Sequence, residues 1–320
     1  MTARRHTHTL TFLGTGASCG VPSFYCGCKA CEEAQVDPRA ARDCSGILIA
    51  GKQNTLIDAA PELRRQLVRE GISRIDQALF THGHFDHLGG IPQLEFYVRV
   101  KTKSPLPIYT GEQTIATIKQ QYSFMLDTLD IHLIRAFETI CLDGVSYTAL
   151  PAAHCKDSYG FLIEVGQGDE TAAPSPCPSQ SSRTAGQKGQ KGDGSFLSCI
   201  KENIIQDKNE PSPFCPSFCP SRTAYFPDTG PLPPETLEYL QDLDNLIIDS
   251  TFSGKNWMPA THHSIDEAIA LAELLKPRRT LLTHLAMHFD EPITLKELEH
   301  KLLSCESVIQ VAYDGLSFEL

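Results

Sequence analysis

Thr81-His82-Gly83-His84-Phe85-Asp86-His87 directly follows the apolar stretch Ala78-Leu79-Phe80. Three imidazoles and a carboxylate fall within six positions at the end of an expected strand, and burying them without a partner is costly. Neutral imidazole and carboxylate are ordinary ligands of divalent zinc, manganese or iron, so the run points to bound metal. Alternate residues of an extended segment share a side, which groups His82 with His84. Asp86 and His87 are adjacent and are expected to diverge, an arrangement suited to two ions roughly 3.5 to 4 Å apart rather than to one. Leu88-Gly89-Gly90 follows, a small-residue turn that allows close backbone approach. The competing reading is a solvated, histidine-rich turn.

The run resembles the HxHxDH signature of the metallo-β-lactamase superfamily. Other stretches narrow the resemblance: Leu13-Gly14-Thr15-Gly16, Gly20-Val21-Pro22, Cys26-Gly27-Cys28 with Cys31, and Cys44-Ser45-Gly46. These are similar to the branch containing the carbon-phosphorus lyase accessory phosphodiesterases, which open cyclic ribosyl phosphates. The likeness covers nearly the whole chain apart from one insertion. It implies an α/β fold, the αββα sandwich, with the site along one edge where strand-end loops converge.

The resemblance also implies the remaining ligands. His154 ends Leu150-Pro151-Ala152-Ala153-His154, Asp228 lies in Phe226-Pro227-Asp228-Thr229-Gly230, and His284 closes Leu281-Leu282-Thr283-His284. In this mapping His82, His84 and His154 hold one manganese or zinc ion, Asp86, His87 and His284 hold the other, and Asp228 bridges them. Each of the last three follows an apolar run and is expected at a strand end. Alone, any of them would read as a structural hydrogen-bonder; their joint presence in the right order favours the metal site. Asp58, ending Thr55-Leu56-Ile57-Asp58, is expected to orient ligands from behind, since a metal-bound imidazole usually donates its other N–H to a carboxylate. Its alternative role is to cap the helix after Pro61.

Cys26, Cys28 and Cys31 form a second constellation. Their C-x-C-x-x-C spacing suits one tetrahedral structural zinc that lacks a fourth ligand. A disulfide reading is weak, because three is odd and no secretory signal is evident. In the resembling branch the fourth ligand is a histidine shortly after the last catalytic one. Here His288 stands one position later than that pattern, a shift of about 100° on a helical turn, although an i, i+4 pair can still share a face. The alternative is a surface histidine beside Phe289 and Asp290.

Thr261-His262-His263-Ser264 opens an amphipathic helix with Ser264 as its N-cap. A histidine at the positive end of that helix could bind a phosphate oxygen or protonate a leaving alkoxide. Related phosphodiesterases and tRNA 3′-processing nucleases place a histidine in this setting; His262 is favoured over His263, and both could instead be surface loop residues.

Composition agrees with a soluble, cytoplasmic enzyme. No apolar run approaches the roughly 20 residues that a membrane helix needs, and of 12 cysteines only the trio has metal spacing. The net charge of -11 argues against a generic nucleic-acid surface. Strands are expected at Thr9–Leu13, Gly46–Ala50, Asn54–Ile57, Ala78–Phe80, Gly144–Leu150, Tyr159–Val165, Thr223–Phe226 and Leu246–Asp249. Helices are expected at Pro61–Arg69, Thr114–Tyr122, Pro234–Leu243 and Ser264–Leu275. The chain reads as one domain, 1–320, interrupted at about 166–222 by a Gly-, Pro-, Ser- and Lys-rich insertion that cannot bury enough apolar surface to order itself. A lid, or a second metal site using Cys177, Cys199, Cys215 and Cys219, is the rival reading of that insertion.

The resulting expectation is a dinuclear phosphodiesterase that turns an activated water on a small cyclic phosphodiester, with Asp86 and Asp228 at the ions and His262 at the leaving oxygen. A homodimer is expected from the resemblance. The alternatives are a tRNA 3′-processing nuclease, for which the usual long RNA-grasping arm is not evident, and a cofactor-biosynthesis protein resembling pyrroloquinoline quinone protein B.

Overall fold

Alternation along the first strands sets the architecture. In β1 (Thr9–Gly14), β2 (Gly46–Ala50) and β3 (Asn54–Ile57), Leu10, Phe12, Ile47, Ile49 and Ile57 join one buried cluster, whereas Leu13, Leu48 and Leu56 join another. Successive side chains of a strand face opposite ways, so both faces of this sheet are covered.

The computed structural model describes residues 7–166 and 221–320. The first sheet continues with β4 (Gln77–Leu79), β5 (Leu106–Thr110) and β6 (Leu129–Leu133). The second contains β7 (Thr139–Leu142), β8 (Val145–Pro151), β9 (Tyr159–Val165), β10 (Ser221–Phe226), β11 (Asn245–Asp249), β12 (Arg279–Thr283) and β13 (Ile309–Val311). The final strand, β14 (Ser317–Glu319), returns to pair with β1. The two seven-stranded sheets therefore have the orders β14-β1-β2-β3-β4-β5-β6 and β13-β12-β11-β10-β9-β8-β7.

Between the sheets, Phe12, Ile47 and Leu79 meet Tyr147, Phe161, Tyr225, Ile247 and Leu281. The outer face of the first sheet is covered by α2 (Leu63–Arg69), α4 (Pro92–Phe96), a π-helical turn at Tyr97–Thr102 and α5 (Glu112–Gln121), through Leu63, Leu94, Val98 and Ile118. On the far side of the second sheet, α7 (Ile265–Leu275) packs on β11 and β12 with Ala268, Leu271 and Ala272 buried. The expected αββα sandwich is the fold.

Direction matters more than order for function. Strands β3 to β6 are mutually parallel, as are β10 to β13. Their carboxyl ends thus lie along one edge of each sheet, where α/β proteins place ligand-binding loops. β8 runs the same way as β10, because β9 is antiparallel to both.

Several elements differ from the sequence expectation. The helix expected to reach Leu243 is the single turn α6 (Pro234–Leu237), and Leu240 and Leu243 are buried from turns instead. The chain there adopts a left-handed conformation at Asp242 (φ 52°), which a helix cannot continue through. Helices α1 (Lys29–Val36) and α8 (Leu295–Leu302) were not anticipated; α8 begins with a Thr294–Glu297 capping box. The insertion and its four cysteines lie outside the described residues, but Ser221 and Arg222 belong to β10 and pair with Val165 and Glu164. Among the described residues no helix is long and apolar enough to cross a membrane.

Candidate metal centre

The expected ligands meet where β4, β8, β10 and β12 end. His82 and His84 follow β4, and one helical turn, α3 (Phe85–Leu88), carries Asp86 and His87. His154 follows β8, Asp228 lies two residues beyond β10, and His284 directly succeeds β12. The donor atoms of His82, His84 and His154 lie within 4.8 Å of one another, as do those of Asp86, His87, Asp228 and His284. In the first group His84 Nδ1 is 2.9 Å from His154 Nε2. In the second, Asp86 and His87 do not diverge as expected; His87 Nε2 lies 3.5 Å from Asp86 Oδ2, because neighbours on a helical turn are about 100° apart rather than opposed.

Asp228 joins the two groups. Its Oδ1 is 2.8 Å from His284 Nε2, and its Oδ2 is 2.8 Å from His87 Nε2 and 3.3 Å from His82 Nε2. His154 Nε2 lies 3.9 Å from the same Oδ2.

A second layer of oxygens fixes which ring nitrogen faces the centre. Asp58 Oδ2 accepts the Nδ1–H of His87 at 2.8 Å, and the same carboxylate accepts the N–H and O–H of Thr81. The Thr81 hydroxyl, its proton committed to Asp58, accepts from His82 Nδ1 at 3.0 Å. On the other sheet, Asp249 Oδ2 accepts the Nδ1–H of His262 at 2.9 Å, and Oδ1 accepts the N–H and O–H of Thr251, whose oxygen accepts from His284 Nδ1 at 2.9 Å. His154 Nδ1 donates to the Thr261 carbonyl at 3.0 Å. In each of these histidines Nδ1 is the tied nitrogen, leaving Nε2 for a ligand or substrate. Asp58 does not cap α2, whose N-cap is Glu62.

Backbone strain accompanies this arrangement. Asp58 (φ 66°) and His284 (φ 55°) are both left-handed, a conformation costing about 1–3 kcal/mol for such residues and tolerated where the surroundings enforce it.

The electrostatics call for cations. Burial holds His82 and His154 below the ordinary histidine range, so both are neutral donors at neutral pH. Burial also opposes charge on His87 and His284, but carboxylates outweigh it: Asp58, Asp86 and Asp228 raise His87 far above its usual range, and Asp228 with Asp86 pushes His284 up to about 10. Likewise, His87 and His284 outweigh burial at Asp86 and Asp228 and hold both carboxyls below their usual range. His82 Nε2, His87 Nε2 and Asp228 Oδ1 are buried without aligned hydrogen-bond partners. A buried cluster with two carboxylates, Asp86 and Asp228, at its heart and orphaned nitrogen donors is one that divalent cations complete.

The cysteine trio also converges, with Cys26, Cys28 and Cys31 sulfurs within 4.8 Å. Burial, reinforced by the neighbouring thiols, pushes Cys31 up to about 12, so without a cation that thiol keeps its proton. His288 does not share a helical face with His284. Leu285 instead forms an extended bridge to Gly16, and His288 lies in the turn that follows. Its ring stands 6.4 Å from Tyr25 of the cysteine loop, outside the 4.8 Å donor set, yet both ring nitrogens are buried and unpartnered.

His262, not His263, faces the centre. His262 Nδ1 lies 3.7 Å from Asp228 Oδ1, and its ring stacks on that of His284 at 5.5 Å. His263 is buried with Nδ1 unpartnered, and its carbonyl accepts from Phe252 N–H. Ser264 caps α7 through a capping box with Glu267, which fixes this loop. Asp249 and Thr251 were missed in the sequence, although Ile247-Ile248-Asp249 echoes Leu56-Ile57-Asp58 at a strand end.

A sequence model of the Beta-lactamase superfamily domain matches residues 53–172 and 220–285. The crystal structure of a new diphosphatase from the PhnP family superposes with a TM-score of 0.71 at 25% identity, covering 98% of this chain and 97% of that one. Ribonuclease Z of Bradyrhizobium diazoefficiens is 26% identical over 310 residues, 90% of this chain and 93% of its own length. Two curated relatives match only in part. An octanoyltransferase of Porphyromonas gingivalis is 34% identical over 114 residues, 35% of this chain and 22% of its own length. Coenzyme PQQ synthesis protein B of Rhodopseudomonas palustris is 32% identical over 124 residues, 35% of this chain and 38% of its own length. The chain therefore matches well under half the length of these two.

Proposed function

Because the chain belongs to the metallo-β-lactamase superfamily and is a metal-dependent hydrolase, we propose that it is a dinuclear phosphodiesterase acting on a small, cyclic phosphodiester. The observation that supports this most directly is Asp228, whose oxygens lie 2.8 Å from His87 and His284 of one group and 3.3 Å from His82 of the other. That is the placement a carboxylate shared by two ions requires.

Under this reading His82, His84 and His154 would hold one divalent manganese or zinc ion, Asp86, His87 and His284 the other, and Asp228 would serve both. Such a pair supplies a water acidic enough to ionise near neutrality and a positive field for the phosphoryl oxygens. Asp58 and Asp249 keep the imidazoles in the tautomer that presents Nε2. His262, its Nδ1–H held by Asp249, has no partner at Nε2 among the described residues and can deliver a proton to the leaving oxygen. Cys26, Cys28 and Cys31 would hold a structural zinc, with His288 as the expected fourth ligand.

The test is hydrolysis of bis(p-nitrophenyl) phosphate by manganese- or zinc-loaded protein beside its Asp86→Ala variant. Turnover well above the variant supports the reading; equal rates overturn it. The ribonuclease Z match favours one second reading, cleavage of precursor tRNA at its 3′ end, against which the net charge of -11 weighs. A precursor-tRNA cleavage assay separates the two. Retention of iron with neither activity would favour a role like that of coenzyme PQQ synthesis protein B. The proposal includes a homodimer, which sedimentation of the loaded protein tests.

A further inference from the structure

Trp257, the chain's only tryptophan, is 54% exposed. Its indole nevertheless packs on Phe252 at 4.9 Å and on Phe289 at 5.9 Å, and those two rings pack on each other at 5.8 Å. Phe252 lies 6.2 Å from the ring of His262. A continuous series of rings thus runs from the histidine beside Asp228 out to a half-open indole.

The loop carrying Trp257 is braced against His262. Asn256 Nδ2 donates to the His262 carbonyl at 2.9 Å, and Asn256 Oδ1 accepts the N–H of Met258 at 2.9 Å. The Met258 carbonyl accepts the N–H of Thr261 and of His262, both at 3.0 Å. Trp257 is the residue between two that fix the His262 backbone, so its distance from the reaction centre is set by the same bonds. Lys255, exposed in the same loop, has no ion pair among the described residues.

An indole packed on two rings yet half exposed, in a loop braced against the His262 backbone and beside an unpaired cation, is suited to a planar base attached to an anionic phosphate. Aromatic stacking accepts any base, because every base presents a π-face. The acidic chain disfavours a long polyanion, which leaves a substrate of nucleotide size. We propose that Trp257, backed by Phe252 and Phe289, stacks the nucleobase of a nucleotide-derived phosphodiester whose phosphorus sits at the metal centre. This deepens, and rests on, the phosphodiesterase reading.

Two measurements separate the subsite from that reading. In the first, metal-loaded wild type, Trp257→Ala and Trp257→Phe are compared on thymidine 5′-(p-nitrophenyl phosphate) and methyl p-nitrophenyl phosphate, which share the scissile bond and differ in the base. Trp257→Ala should lower the kcat/KM ratio of the nucleotide over the methyl ester about tenfold, through KM, the size of one base stack, and Trp257→Phe should restore most of it. An unchanged ratio overturns the subsite. In the second, adenosine 5′-phosphate is titrated against wild-type tryptophan emission, which arises from Trp257 alone. Saturable quenching that ribose 5-phosphate does not reproduce supports the subsite even if neither ester is hydrolysed, an outcome that would sink the phosphodiesterase reading instead. No quenching, or equal quenching by both, overturns the subsite.

Discussion

Asp58 and Asp249 hold the candidate centre in the same way from opposite sheets. Each carboxylate takes one imidazole Nδ1–H directly, from His87 at 2.8 Å or His262 at 2.9 Å, and reaches a second imidazole through a threonine hydroxyl. Thr81 serves His82 in one half and Thr251 serves His284 in the other.

Replacing either carboxylate with its amide should release two rings at once. For Asp58→Asn the expected result is a 10- to 100-fold loss of metal affinity at the dinuclear site, the usual cost of removing a ligand's supporting partner, measured by competition with a chromophoric chelator. Asp249→Asn should weaken metal less than it lowers kcat, because one of its two rings is His262. Wild-type kcat with intact metal content in Asp249→Asn would refute the role assigned to His262.

Gly230 is a sharper geometric probe. A Cβ there would stand 2.6 Å from the Ala260 backbone, with the Thr261 nitrogen at 2.8 Å, and neither is the end of a flexible side chain. Gly230→Ala must push apart the loops bearing Asp228 and His262. We expect a fall in kcat of at least about tenfold, in keeping with the sensitivity of catalysis to small misplacement, while circular dichroism stays native.

Cysteine substitution tests the second metal. Cys31→Ser should remove one zinc per chain, read by elemental analysis, and lower the melting temperature by several degrees. His288→Ala with unaltered zinc content would show that the fourth ligand is another group.

The pH dependence of stability has an identifiable contributor away from the metals. The Asp314 side chain is largely covered, and burial, with the nearby Asp43 carboxylate, pushes it up to about 6 despite bonds from Thr15 Oγ1 and Asp43 N–H. An acid whose folded value is raised favours the native state while protonated. Its contribution is present below about 3.9, the unfolded value, and is lost as pH rises through about 6. Urea unfolding at pH 4.5, 5.5 and 6.5 should therefore show wild type losing ground to Asp314→Asn as pH rises; a constant difference would rule this out.

Although His154, Asp228 and His284 were reached through the family resemblance, the run of His82, His84, Asp86 and His87 behind an apolar stretch was legible by itself, and the fold brings all seven together at strand ends. Asp249 and Thr251 were not legible, since a strand-end Asp has many ordinary roles and its partners lie 13 and 35 residues downstream of the aspartate, at His262 and His284. His288 was expected from the resemblance, and the helical face it would have shared with His284 does not exist; Leu285 is instead held in a bridge to Gly16, a contact between distant parts of the chain that no local periodicity encodes. The length of α6 failed for a similar reason, as Leu240 and Leu243 are buried equally well from turns.

The hairpin of β9 and β10 closes between Val165 and Ser221, while its other end runs on through Phe226 to Asp228. Six residues of strand, roughly 20 Å at 3.3 Å each, separate the splice point from the bridging carboxylate. Loop closure grows only with the logarithm of length, about 0.6 kcal/mol per doubling. That junction is thus a permissive graft site, where tens of residues, or a reporter domain, can be accommodated while the chemistry at the opposite strand ends keeps its geometry.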